Sequence, residues 1–212
     1  GLYAGKLAQQ ELDGEFVPMG GSVWESFRTK GEDSNVTMDA EYNSSVPVEW
    51  WVDDGFTKNH PRVVLLAQVV PPYINVFDCY IREYEYPEDT IRNVFNMPDP
   101  SHPYRKPEVA LVDSTAAELI SKLWASEIDT VRASHDVEQG VLKVGPFILD
   151  GDNVRHLRFH PRCEEAIKAI AKYARDEETN KLPKLGDDVP DALRYGLWSK
   201  DLLEIKKEGY RR

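Results

Sequence analysis

Three apolar runs follow one another in the first half of this chain with little between them. That spacing constrains the fold more than any other feature. Val48-Glu49-Trp50-Trp51-Val52 is rich in β-branched and aromatic residues and reads as a strand. Arg62 to Val70 is almost wholly apolar, which predicts a strand buried on both faces. Pro71-Pro72 separates it from a third strand, from about Tyr73 to Tyr84. Neighbouring strands with short links predict an antiparallel meander. The pattern changes after a helix over Pro87 to Phe95, whose Pro-Glu-Asp start suits a helix N-terminus. Val109-Ala110-Leu111-Val112 is a short buried strand ending at Asp113, and helices and strands alternate from there. A strand at Asp129 to Ala133, an irregular helix at Asp136 to Leu149, a short strand at Val154 to Phe159 and a helix at Cys163 to Arg175 follow. A meander and then alternation give an α/β fold, a mixed sheet with helices on its faces. The 109–112 strand is expected beside the first strand and parallel to it, after a crossover through the 87–95 helix.

The flanking segments read differently. Lys6 to Glu15 has weak helical character, Gly20-Gly21 breaks the chain, and Val23 to Phe27 is a short extended piece. Thr29 to Ser45 is rich in Asn, Ser and Asp, which predicts a linker or mobile loop and a domain boundary. The expected division is therefore 1–45 and 46–212. The start at Gly1 reads as that of a fragment or processed chain. No apolar run is long enough to span a membrane, and no signal peptide stands at the start. Cys79 and Cys163 lack metal-ligand spacing and read as reduced thiols of a cytosolic protein. The net charge of −11 argues against broad, sequence-independent contact with nucleic acid and leaves room for a local basic stripe.

The acidic balance also fits a cluster of carboxylates that binds cations. Asp53 and Asp113 stand at the C-terminal ends of two strands expected to be parallel neighbours, the edge where open sheets place ligands. Such strand ends lie about 5 Å apart. A third carboxylate comes from Asp187-Asp188-Val189-Pro190-Asp191-Ala192-Leu193-Arg194-Tyr195-Gly196-Leu197-Trp198. Pro190 suits the first turn of a helix, Asp187 or Asp188 can cap it, and Leu193, Leu197 and Trp198 give it an apolar face. Asp191 then sits in the first turn. Three carboxylates this close repel strongly without a cation, and an all-oxygen donor set suits Mg²⁺ or Mn²⁺. Two such ions about 4 Å apart clamp the attacking and leaving oxygens of a phosphodiester. Taken singly, each aspartate is also an ordinary turn or cap residue.

The run from Trp51 to Trp198 resembles the nuclease domain of the large terminase subunit of tailed bacteriophages. That family's first signature, an Asp followed by any residue, Gly and an aromatic, stands here as Asp53-Asp54-Gly55-Phe56. Its second, an apolar strand ending in Asp and small hydroxylated residues, stands as Val109 to Thr115. Its third, an approach to Asp-Ala-Leu-Arg-Tyr, stands as Asp187 to Tyr195. Val137-Glu138-Gln139-Gly140-Val141 and His160-Pro161-Arg162-Cys163 match the pieces between the second and third. The resemblance implies an RNase H-like, integrase-type mixed sheet with helices on both faces. It implies a metal-dependent endonuclease with two Mg²⁺ or Mn²⁺ ions on Asp53, Asp113 and Asp191, which cuts concatemeric double-stranded DNA at the start and end of genome packaging. It further implies an ATPase motor domain in the same full-length chain, portal and small-subunit partners, and the host cytoplasm. Ala8 to Phe27 resembles the tail of that ATPase domain, although no phosphate-binding Gly-rich loop is present in this chain. The chain departs from the pattern in two places. Val189 stands where many members carry His, and Ala133-Ser134-His135 stands where Lys or Arg is often seen. A junction resolvase or transposase of the same superfamily, or a catalytically silent docking module of the packaging motor, are the alternatives.

Asp54 competes with Asp53, because adjacent strand residues face opposite ways, and the family pattern selects Asp53. Asp78, Glu83 and Glu85 read as solvated charges, and the five histidines as surface residues. Thr115 is expected to cap the following helix with Glu118 as its capping-box partner. Arg105, Lys106, Arg132, Lys143, Arg155, Arg158 and Arg162 are candidates for a phosphate-contacting rim.

Overall fold

The computed structural model describes residues 21–210. Strands β1 (Glu49–Asp53), β2 (Arg62–Val70) and β3 (Tyr73–Arg82) form the expected antiparallel meander. Strand β4 (Val109–Asp113) returns parallel to β1, with Trp50 opposite Ala110 and Val52 opposite Val112. Strand β5 (Asp129–Ala133) adds outside β4, and β6 (Leu157–Phe159) pairs parallel to β3. The sheet is six-stranded and mixed, in the order β5-β4-β1-β2-β3-β6.

Strand alternation divides the core into two layers. Trp50, Val52, Val64, Leu66, Ala110 and Val112 face helices α1 (Pro87–Phe95) and α2 (Ala117–Ala125). Trp51, Val63, Leu65 and Leu111 face α3 (Val137–Ile148), α4 (Glu164–Lys172) and α5 (Asp188–Trp198). The chain closes with α6 (Leu202–Tyr210), whose Ile205 joins this second layer. Helix α5 lies flat on β1, and Gly196 makes this possible. A Cβ at Gly196 would stand 1.9 Å from Trp51 Cδ2, so only a glycine lets the helix approach so closely.

Several sequence expectations change. Val23 to Phe27 is a turn rather than an extended piece, with the Phe27 N–H donating to the Trp24 carbonyl. Residues 29–45 carry little regular structure but are pinned to the sheet layers. Asn35 is fully buried and donates to the carbonyls of Ile148 and Leu157, and Tyr42 packs its ring on Phe77 and Tyr104. Polar composition misled here because Asn35 serves buried backbone carbonyls rather than water. Arg155, expected on a rim, is buried and holds Asp33, Asn35 and the Ser26 carbonyl. His156 is buried between Asp150 and the Pro72 carbonyl. Asp78 is buried as acceptor for Tyr104, and Glu85 accepts from Tyr80, Thr90 and Asn93. The expected helix at Lys6 to Glu15 lies outside the described residues.

Candidate metal centre

Asp53 ends β1 and Asp113 ends β4, two parallel neighbours in register. Asp53 shares strand parity with Trp51, and Asp113 with Leu111, so both aim at the layer that holds α5. Asp54 has the opposite parity. Its Oδ1 accepts from the Arg62 guanidinium at 2.8 Å, and Arg62 also reaches the Glu85 carbonyl and Thr90. Gly55 follows because the loop folds back on itself. A Cβ there would stand 2.3 Å from the His60 carbonyl oxygen.

Helix α5 begins at Asp188, one residue before Val189-Pro190, and Asp191 lies in its first turn. Neither Asp187 nor Asp188 caps it in the expected way. Asp187 occupies the cap position without a side-chain bond, and Asp188 lies inside the helix, 3.3 Å from His60 Nδ1. Asp191 Oδ1 accepts from Arg194 one turn on, at 2.7 Å from Nη2 and 3.1 Å from Nε. Arg194 is 1% exposed and lies against Gly140 of α3, and its Nη1 has no partner among the described residues. Tyr195 reaches across to β4, where its hydroxyl donates to Asp113 Oδ2 at 3.0 Å. The other oxygen of Asp113 accepts from the Thr115 N–H at 2.7 Å and hydroxyl at 2.8 Å. That use of Thr115 replaces the expected capping box, and α2 starts from Ala116 without a side-chain cap. His135, just beyond β5, lies 3.2 Å from Asp113 Oδ1 and 2.6 Å from Ser114 Oγ.

The electrostatics tie these acids together. Burial and the negative charges of Asp191, Asp188, Asp113 and Asp187 push the Asp53 carboxyl up to about 9. No hydrogen-bond donor meets it among the described residues. Burial raises Asp191 as well, against the opposing pull of Arg194. Asp188 is raised by burial, with His60 opposing. A carboxylate buried among carboxylates and without a donor is stabilised in its charged form by a cation. An all-oxygen set built from Asp53, Asp113 and Asp191 therefore fits a hard divalent ion.

The three expected acids are coupled electrostatically but do not form the tightest group. His60, Asp187 and Asp188 offer ligand atoms that all lie within 4.8 Å of one another. Asp113 and Asp191 are instead drawn onto Tyr195, Thr115 and Arg194. Sequence reading left His60 and His135 among surface residues and gave Arg194 and Tyr195 no role. The spacing of Asp191, Arg194 and Tyr195 within a helical turn was the available signal for the last two. Nothing in sequence spacing links His60 to Asp188, because the contact spans 128 residues. Most of the candidate rim is engaged elsewhere. Arg158 lies over the Tyr73 ring, Arg162 bonds Tyr104 and His160, and Lys143 bonds the Trp198 carbonyl.

No protein-family model matches the chain, and no curated protein does. Solved structures match over most of its length. A large terminase from a thermophilic bacteriophage superposes with a TM-score of 0.66 at 19% identity, over 84% of this chain and 44% of that one. The nuclease domain of the P22 large terminase superposes with a TM-score of 0.60 at 16% identity, over 90% of this chain and 96% of that one. The large terminase nuclease of the thermophilic phage G20c, solved with bound magnesium, gives 0.56 at 14% identity, over 86% and 99%. The chain has the RNase H-like fold of large terminase nuclease domains. It spans under half the length of the first of these terminases and almost the whole of the two isolated nuclease domains. The terminase-like sheet puts Asp53 and Asp113 side by side on its central parallel pair, with α5 across their ends. No helix among the described residues is long and apolar enough to cross a membrane.

Proposed function

We propose that this chain is the metal-dependent endonuclease domain of a viral large terminase and hydrolyses phosphodiester bonds of double-stranded DNA. One observation carries the reading. Asp53 is held donorless among Asp113, Asp191, Asp188 and Asp187 at the C-terminal edge of the β1–β4 pair, an arrangement that calls for a cation. Asp53, Asp113 and Asp191 would hold Mg²⁺ or Mn²⁺, two ions in the full site. Such ions supply Lewis-acid stabilisation to the attacking and leaving oxygens of a phosphodiester. The chain's own residues orient and hold the ligands. Tyr195 and Thr115 fix the two oxygens of Asp113, and Arg194 fixes Asp191 through one oxygen, leaving the other for a ligand. His60 with Asp187 and Asp188 flanks the same edge.

The wider reading follows from the resemblance and the fold. The substrate is concatemeric viral DNA cut at the beginning and end of packaging, in the host cytoplasm. The resemblance implies a preceding ATPase domain with its linker before the nuclease, whose body takes in residues 21–45 as well as 46–210 because Trp24, Phe27 and Asn35 are buried in it, and the portal and small subunit are partners. Incubation with supercoiled plasmid and Mn²⁺ or Mg²⁺, with and without EDTA, tests the activity. Nicking or degradation that EDTA abolishes is the expected result. Intact plasmid at every metal concentration would favour a silent docking module of the packaging motor.

A further inference from the structure

The loop that leaves Asp53 carries a surface feature that the acidic cluster does not use. Phe56 is 41% exposed, Tyr84 62% and Tyr86 65%. The Phe56 ring meets Tyr84 edge-on at 5.9 Å and Tyr86 at 5.7 Å, so the three form one aromatic surface. Tyr84 stands at φ +54°, a conformation that bulky residues rarely adopt. Its N–H donates to the Phe56 carbonyl, which pins the turn after β3 to the loop after β1. The rings are thus displayed at some backbone cost.

The charges around this surface differ from those of the chain as a whole. Between Asp54 and Arg62 the loop carries Lys58 and no acid, His60 is turned to Asp188, and Asp54 is neutralised by Arg62. Glu85 is taken up by Tyr80, Thr90 and Asn93, and Glu83 is the exposed acid of the turn. Exposed π-faces two residues from a lysine match a nucleotide, whose base stacks while its phosphate meets the cation. A paired duplex shows base edges, not base faces, in its grooves. Within a continuous duplex, only a nucleotide that has left the stack can use these rings.

We propose that Phe56, Tyr84 and Tyr86 form a stacking platform for an unpaired nucleotide of the DNA strand held at the acidic edge, with Lys58 beside its phosphate. The proposal rests on the nuclease reading and specifies its substrate as DNA locally frayed, nicked or single-stranded next to the cut. The preference would come without base-specific hydrogen bonds, because every base offers a π-face.

The test is binding in an Asp53→Asn background with Mg²⁺, which separates it from cleavage. Two probes of one sequence are compared, a blunt duplex and a duplex with a single-stranded overhang carrying 2-aminopurine. The expected result is quenching of the overhang probe, and a loss of about tenfold or more in overhang affinity for Phe56→Ala/Tyr86→Ala with blunt affinity within about twofold. Phe56→Trp should retain overhang binding. Phe56→Leu keeps apolar bulk without a π-face and should lose it, which guards against a folding effect in the double variant. Equal affinity of parent and aromatic variants for the overhang, equal loss on both probes, or no binding of either probe by the background protein would overturn the proposal. The first result would instead mark the rings as a protein-docking patch. Plasmid left intact by the parent with Mn²⁺ would overturn the nuclease reading separately.

Discussion

Tyr195 donates its hydroxyl to Asp113 Oδ2 at 3.0 Å, and in doing so fastens α5 to the end of β4. Arg194, its neighbour in the chain, holds Asp191 of the same helix. One helix therefore orients carboxylates from two elements. Groups that orient metal ligands typically govern affinity or activity by about 10- to 100-fold. Tyr195→Phe keeps the ring packing and removes only the hydrogen bond. It should weaken Mn²⁺ binding within that range and cost about 1 kcal/mol of stability. A Mn²⁺ titration followed by melting temperature checks both, since a bound ion raises the melting point by linkage.

The closeness of α5 to the sheet rests on Gly196. Gly196→Ala would drive a methyl into the Trp51 indole, which is fully buried. Overpacking of this kind typically costs about 1–3 kcal/mol, and a rigid indole places the result at the upper end. Urea denaturation should show the loss as a lower midpoint, and Mn²⁺ affinity should fall as Asp191 shifts with its helix.

Much of this arrangement was legible in the sequence. The run of three strands and the later alternation were strong periodic signals, and they led directly to the β1–β4 parallel pair and to Asp53 and Asp113 at its edge. Strand parity meant that only one of Asp53 and Asp54 could join the cluster, and the family pattern selected Asp53. Residues whose partners are distant in sequence were not legible. Asn35, Arg155 and His156 look like surface residues by type, yet each bonds buried groups supplied by segments far along the chain. The capping box at Thr115 failed for a local reason: Asp113, two residues back, takes both the Thr115 N–H and the hydroxyl that the box would use.

Asp54 offers a contrast to Asp53. Its partner Arg62 has a side chain only 5% exposed, so Asp54→Asn leaves a buried guanidinium with a weakened counter-charge. The expected outcome is a stability loss of about 1–3 kcal/mol with cleavage per folded molecule little changed. Chemical denaturation and a plasmid assay on the same preparation separate the two effects.

The raised Asp53 carboxyl also sets a pH dependence for the metal-free protein. Its value is pushed up from 3.8 to about 9 by burial and the neighbouring acids. Between these limits the folded state keeps the proton and the unfolded state has lost it. The unfolded state then binds fewer protons, so the contribution of Asp53 to stability falls as pH rises from about 4 to 9. The upward shifts of Asp188 and Asp191 act in the same direction. Melting curves in EDTA should show this decline, and Asp53→Asn should flatten it. Mn²⁺ should restore stability most at the alkaline end, where the ionised acids need a cation.

The most direct measurement compares plasmid cleavage by the parent, Asp53→Asn, Asp113→Asn, Asp191→Asn and Asp54→Asn proteins in Mn²⁺, with EDTA as control. Each of the first three substitutions removes one negative charge from the proposed metal set at nearly constant size. Cleavage should fall by orders of magnitude in all three, because the ions organise both attacking and leaving oxygens. It should persist in Asp54→Asn. Normal cleavage by Asp191→Asn together with loss in Asp54→Asn would contradict the assignment of the metal centre, even with the fold intact.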